Sequence, residues 1–122
     1  MTGLSSAGEV AVLTPLTTTA YVSLHTADPG DTGASEVSGN GYTRVGPVAF
    51  TNAGNNPTIA SNSAIVTFAA ATGSWGTVSH FGVWDAATVG NFRGSGAVAT
   101  PKAVGNGDTA RFLANALTIT AQ

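Results

Sequence analysis

The sequence predicts an all-β, single-domain protein, an antiparallel β-sandwich or jelly roll. Short runs alternate between apolar and polar side chains with a period of two from residue 20 onward. Clusters of Gly, Asn, Asp and Pro punctuate them, and 16 of the 122 residues are glycine. Hydrophobic content of 43% with a net charge of −2 sets the chain apart from disordered sequences, despite its many Ser, Thr and Gly residues. This length allows one core. Residues 1–19 read as an N-terminal arm and residues 20–122 as the β-sandwich domain.

Within the arm, Ser6-Ala7-Gly8-Glu9 has capping-box spacing and could open a helical turn or two, stopped by Pro15. Gly8, Val10 and Val12 weigh against a helix, and an extended arm is the alternative. Tyr21-Val22-Ser23-Leu24-His25 is the first strand, with Val22 and Leu24 on one face and Tyr21, Ser23 and His25 on the other. Tyr42-Thr43-Arg44-Val45 and Val48-Ala49-Phe50 follow, separated by a bend at Pro47. Then come residues 64–68, residues 77–84 (the most aromatic stretch), Ala97-Val98-Ala99 and Leu117-Thr118-Ile119-Thr120, with a weaker strand at residues 109–112. Turns are expected at residues 28–31, 38–41, 52–57 and 104–108. Residues 27–41 form a connection too long for a hairpin, and long loops in small domains are often contact surfaces.

Composition removes several function classes. Charged residues make up 8% of the chain, against roughly 25% in an ordinary domain, and only four are basic. Four cations cannot neutralise a run of phosphates, so no nucleic-acid partner is expected. No apolar run approaches the roughly 18 residues of a spanning helix, so no membrane partner is expected either. Met1 to Leu16 carries no Lys or Arg and does not read as a secretory signal. The absence of cysteine removes disulfides, cysteine-based zinc sites and thiol chemistry. Low surface charge weakens protection against self-association, which suits a protein that spends its life attached to something.

Catalysis finds little support. Ser79 or Ser23 could be drawn beside His25 or His80 with an aspartate, but no G-x-S-x-G context frames either serine. The ordinary reading is two histidines at a strand surface or core edge. Asp28, Asp31 and Glu36 could offer oxygen ligands to calcium, although Asp28-Pro29-Gly30-Asp31 is also what a plain turn looks like. Gly39-x-Gly41 lacks the lysine and helix of a phosphate loop. No enzyme activity, cofactor or metal is expected. Trp75, Trp84, Tyr42 and Tyr21 could stack on sugars. Phe81 and Trp84 read as core, and Trp75, in a turn-like stretch, as the aromatic left exposed.

The run Tyr21-Val22-Ser23-Leu24-His25-Thr26-Ala27-Asp28-Pro29-Gly30 resembles the opening strand and loop of a family of small tailed-bacteriophage virion proteins. Gly41-Tyr42-Thr43-Arg44-Val45, His80-Phe81-Gly82-Val83-Trp84-Asp85-Ala86 and motifs onward to Leu117-Thr118-Ile119-Thr120 continue the resemblance in order. Members are usually labelled phage tail fibre protein, and some resemble head-decoration or minor capsid proteins. Similar sequences often carry a longer apolar helix before the first strand, whereas residues 1–19 here are short and Thr-rich.

The resemblance implies a non-enzymatic, all-β virion protein made in the cytoplasm of a bacterial host. A fibre shaft needs repeats or a coiled-coil stem, which this chain lacks. The expectation is therefore a capsid decoration protein on the head exterior, bridging subunits of the major capsid protein beside other virion proteins. A tail fibre or tail-associated protein, with a host surface glycan as partner, is the alternative. A homo-oligomer, with a trimer as one option, would bury the uncharged faces. The residues expected at the protein interface are Leu4, Val10, Leu13, Asp28, Pro29, Asp31, Glu36 and Trp75.

Overall fold

The alternation at Tyr21–His25 becomes the first strand, β1, whose Val22 and Leu24 enter the core with no exposed surface. The computed structural model describes residues 20–53 and 58–121. Along them follow β2 (Phe50–Ala53), β3 (Thr58–Asn62), β4 (Val66–Thr67), β5 (Gly76–Trp84), β6 (Phe92–Val104), β7 (Arg111–Phe112) and β8 (Thr118–Ala121). Strands β1–β5–β6 and β2–β3–β8 make two three-stranded sheets, and β4–β7 a two-stranded ladder, every pair antiparallel. Leu24, Phe81 and Val83 from the first sheet join Phe50, Ala60 and Ile119 from the second in one cluster with Phe68 and Leu117. The described residues form a single all-β domain. The arm assigned to residues 1–19 lies outside the described residues.

Several local expectations are corrected by tertiary pairing. Asn52 and Ala53, expected in a turn, continue β2, and β3 was not anticipated at all. Thr58-Ile59-Ala60-Ser61-Asn62 has one large apolar residue, yet its backbone is claimed on both edges, by β2 and β8. Pairing decides where side-chain propensity is weak. Of residues 42–45, only Val45 bridges, to Val22. The Val45 amide donates to the Val22 carbonyl, and the Val48 amide to the Ala20 carbonyl, so this stretch covers the outer edge of β1.

Strand β6 is far longer than the three residues expected. Its early part, Phe92-Arg93-Gly94-Ser95-Gly96, reads as loop because glycine weakens strands. Here the missing side chain is what the fold uses. A Cβ on Gly96 would sit 2.6 Å from the Thr118 carbonyl oxygen and 2.7 Å from Phe81 Cε1, so glycine lets β8 cross close over the first sheet. Pro101 is tolerated because β6 is an edge strand. The register jumps from Val78↔Lys102 to His80↔Ala97, which bulges residues 98–101 away from β5.

One buried polar side chain ties the sheets together. Asn62 is wholly buried; its Nδ2 donates to the Ala64 and Leu113 carbonyls, and its Oδ1 accepts from the Leu117 amide. All three bonds reach backbone, so the amide closes the chain ends of β3, β4, β7 and β8 around itself.

Candidate functional site

Both faces of β1 are covered, which the alternating pattern does not reveal. Ser23 and His25, expected on a surface face or core edge, are completely buried. The cover comes from Trp84, Phe92 and the long connection over residues 27–41. That connection is latched back onto β1. The Val37 amide donates to the Leu24 carbonyl at 2.9 Å, the Thr26 amide to Ser35 at 3.1 Å, and Glu36 bridges His25.

Beneath the latch runs a polar chain with a single direction. The Ala34 carbonyl can only accept, so His25 Nδ1 carries the proton it donates there, at 2.7 Å. Nε2 is then the acceptor for the Ser23 hydroxyl at 2.6 Å, and Ser23 Oγ accepts from the Trp84 indole N–H at 2.9 Å. Gly82 makes the space: a Cβ there would stand 2.6 Å from Ser23 Oγ and 2.7 Å from His25 Nε2. The serine–histidine pair drawn from the sequence is therefore real in space. It is sealed from solvent, however, and its second imidazole nitrogen is spent on a backbone carbonyl rather than a carboxylate. Such a chain locks the loop to the strand. Ser79 Oγ, likewise, lies 2.9 Å from His80 Nδ1 at the partly buried middle of β5.

Burial holds the His25 pKa below its ordinary 6.5, outweighing the Ala34 hydrogen bond and the Glu36 carboxylate that favour the cation. The unfolded chain therefore takes up this proton first. Stability from the neutral ring is fully present above pH 6.5 and is lost as pH falls below that value toward the lower folded-state pKa. Thermal melts from about pH 8 to 5 should show a decline that begins near pH 6.5 and is removed by His25→Gln. A midpoint that stays level across that window would exclude a neutral, load-sharing His25. Glu36 is held below its ordinary 4.5, so its loss comes only at more acid pH.

Beside this chain sits Arg44. Its Nε and Nη2 each lie 2.9 Å from a Glu36 carboxylate oxygen, a bidentate pair. Its Nη1 donates to the carbonyls of Ala86 at 3.1 Å and Val89 at 2.8 Å, and the guanidinium lies 3.8 Å over the Trp84 ring. One side chain thus joins the long loop, β5 and the 85–91 turn. The Tyr42 hydroxyl donates to Glu36 at 2.7 Å and accepts the Leu24 amide at 3.0 Å. Burial would raise the Glu36 carboxyl pKa, but the Arg44 and Tyr42 hydrogen bonds outweigh it. Burial, with Glu36, pushes the Tyr42 phenol far above its usual range. Arg44 carries no site expectation in the sequence; the signal it offers is a cation on the same alternating face as Tyr42, in a chain with four cations.

The structure divides the residues expected at an interface. Leu4, Val10 and Leu13 lie outside the described residues. Asp28 and Asp31 are exposed on the loop, where Asp28 Oδ1 accepts the Gly30 amide. Pro29 is buried, and Glu36 turns its carboxylate inward to Arg44, away from any shared ligand with the two aspartates. Among the described residues, no three His, Asp or Glu side chains gather as a metal site. Trp75, expected to be exposed, is 4% exposed. Its indole N–H donates to the Asn40 carbonyl at 2.9 Å, and its ring meets Tyr42 edge-on at 5.4 Å. The 38–41 turn folds over it, which no local pattern around Trp75 encodes. Trp84 is buried as well, so neither tryptophan offers an open face to a sugar, and Tyr42 is half-buried between Phe68 and Trp75.

The loop that carries Ala34, Glu36 and Val37 is held by three separated segments. Residues 21–30 supply Ser23 and His25, residues 41–45 supply Tyr42 and Arg44, and residues 80–86 supply Gly82, Trp84 and the Ala86 carbonyl. These are the same stretches that carry the resemblance to tailed-phage virion proteins, and in this chain they fix one loop. No curated protein matches the sequence significantly. A family model described as Podophage GP4 fiber I protein gp80 matches residues 6–120, nearly the whole chain, and the protein accordingly belongs to this Gp80 family of bacteriophage virion structural proteins.

Proposed function

We propose that the protein is a compact, non-enzymatic module of a podophage tail fibre, working through surface contacts with other virion proteins. The family match to a fibre protein over residues 6–120 carries this reading. It favours the fibre over the capsid decoration expected from the lack of shaft repeats. A globular unit can sit on a fibre as readily as on a shell, so compactness does not choose between them.

The sealed Ser23–His25 pair supports a structural role. Asp28 and Asp31 supply the contacts on the exposed loop, with Leu4, Val10 and Leu13 from the N-terminal residues. Pro29, Glu36 and Trp75 act behind that surface by fixing the loop. The β4–β7 register pairs Val66 with Phe112, and Ile65 and Leu113 are their immediate chain neighbours. These are 56% and 62% exposed, an apolar pair suited to a neighbouring subunit or a second copy.

Co-sedimentation of purified protein with isolated tails and with tailless, DNA-filled heads tests the reading. Saturable binding to tails at a few copies each is the expected result. Binding to heads in numbers set by shell symmetry would overturn it in favour of decoration.

A further inference from the structure

All four cations of the chain fall among the described residues, and they divide cleanly. Arg44 pairs with Glu36 and Arg93 with Asp85. Lys102 and Arg111 have no carboxylate within ion-pair distance among the described residues, and both line the same groove, a cavity of about 580 Å³ between β6 and residues 108–112. Asp108 also lines it, with one carboxylate oxygen 2.8 Å from the Gly105 amide. The lining is thus net +1 (two cations, one anion) in a chain of net −2, leaving −3 elsewhere. Val78, Val98 and Val104, all buried, and the half-buried Phe112 give it an apolar floor.

Among the described residues, the backbone along one wall has an edge without partners. The Phe68 amide donates to the Ala110 carbonyl and the Ala71 amide to Asp108, and β4 pairs Val66 with Phe112. The backbone groups of residues 110 and 112, with the Asp108 carbonyl, are therefore turned toward residues 66–71, while the Asp108 amide donates to the Gly105 carbonyl. By the alternation of an antiparallel ladder, Thr109 and Arg111 turn theirs to the opposite side. No β4 residue lines the groove, so that side is the groove side. The opposite wall is β6 at its bulge, an edge strand.

We infer that this groove binds an extended acidic peptide segment of a neighbouring virion protein, which adds to the open edge of β7 and sets a carboxylate between Lys102 and Arg111. Free strand-edge amides recognise a peptide backbone, the aliphatic floor takes its alternate side chains, and the cations select an acid. A sugar would want a stacking platform, and neither tryptophan nor either tyrosine lines the groove. Only the source of the segment rests on the fibre reading; the groove chemistry is tested without virions.

The probes are a blocked seven-residue peptide of alternating valine and glutamate, and its counterpart with lysine for glutamate, titrated into the full chain and followed by amide NMR. Saturable shifts at Thr109, Arg111 and residues 98–104 are expected with the acidic peptide alone, weakening as salt is raised. Lys102→Glu with Arg111→Glu should weaken binding about tenfold or more. The neutral pair Lys102→Gln and Arg111→Gln should fall between, with native spectra confirming the fold. Absence of shifts, or equal shifts with the lysine peptide, would overturn the inference. So would concentration-dependent shifts at these residues without any peptide, which would make a second copy the occupant.

Discussion

Arg44→Ala should lower the stability of the domain by about 3–5 kcal/mol, the usual cost of removing one partner from a buried ion pair. The Arg44 side chain is 8% exposed and that of Glu36 is 21% exposed, so water replaces the bonds between them only in part. The substitution would strand the Glu36 carboxylate beside Tyr42, and leave the Ala86 and Val89 carbonyls without their donor. It would also uncover the Trp84 ring, which roofs the Ser23–His25 chain. For a domain of this size each kcal/mol is worth roughly 4 °C, so the melting midpoint should fall by about 12–20 °C. Arg44→Lys should recover only part of this, because an ammonium cannot hold two carboxylate oxygens and two carbonyls at once. A midpoint within about 4 °C of the parent for Arg44→Ala would mean the latch carries little of the stability.

Trp75→Ala should be as damaging, at about 3–5 kcal/mol, through the cavity left under the 38–41 turn. Its ring packs on Tyr42, which itself stacks on Phe68 in the core, so the loss propagates inward. Trp75→Phe keeps most of the apolar contact and gives up the bond to Asn40, a difference of about 1 kcal/mol. Denaturant unfolding of the two variants separates packing from hydrogen bonding. An exposed contact residue would behave otherwise: Trp75→Ala would melt like the parent protein and fail only in binding. That outcome would return Trp75 to the surface.

How far the sequence reaches can be followed residue by residue. Strands β1 and β5 were legible because Val22, Leu24, Phe81 and Val83 alternate with smaller or polar residues, and the local pattern agrees with tertiary burial. Strand β8 was legible for the same reason, through Leu117 and Ile119. Strand β3 and the start of β6 were hidden. Their side chains are small, and their order comes from neighbours that claim the backbone on both edges of β3 or need glycine beneath β8. The second face of β1 misled for a related reason. Period two shows which residues share a face, but a loop returning from residue 36 decides whether the other face meets water. The same blindness affected Trp75, whose cover arrives from residue 40.

The family signal worked at a different level from the physical one. Residues 21–30, 41–45 and 80–86 were picked out as shared motifs, and in space they meet at His25, Arg44 and Trp84. None of the bonds between them could be read from spacing, because the partners are up to 61 residues apart, as Trp84 and Ser23 are. Lys102 and Arg111 carry no site expectation in the sequence either. Their significance appears only after Arg44 and Arg93 are seen to be paired, which leaves two cations on one groove.

Gold labelling of intact virions that carry the protein with a C-terminal tag locates it most directly. A fibre module predicts gold on the tail fibres, at a few particles per virion, with heads unlabelled. Gold spread over the head at regular lattice positions would contradict it and make the protein a shell component.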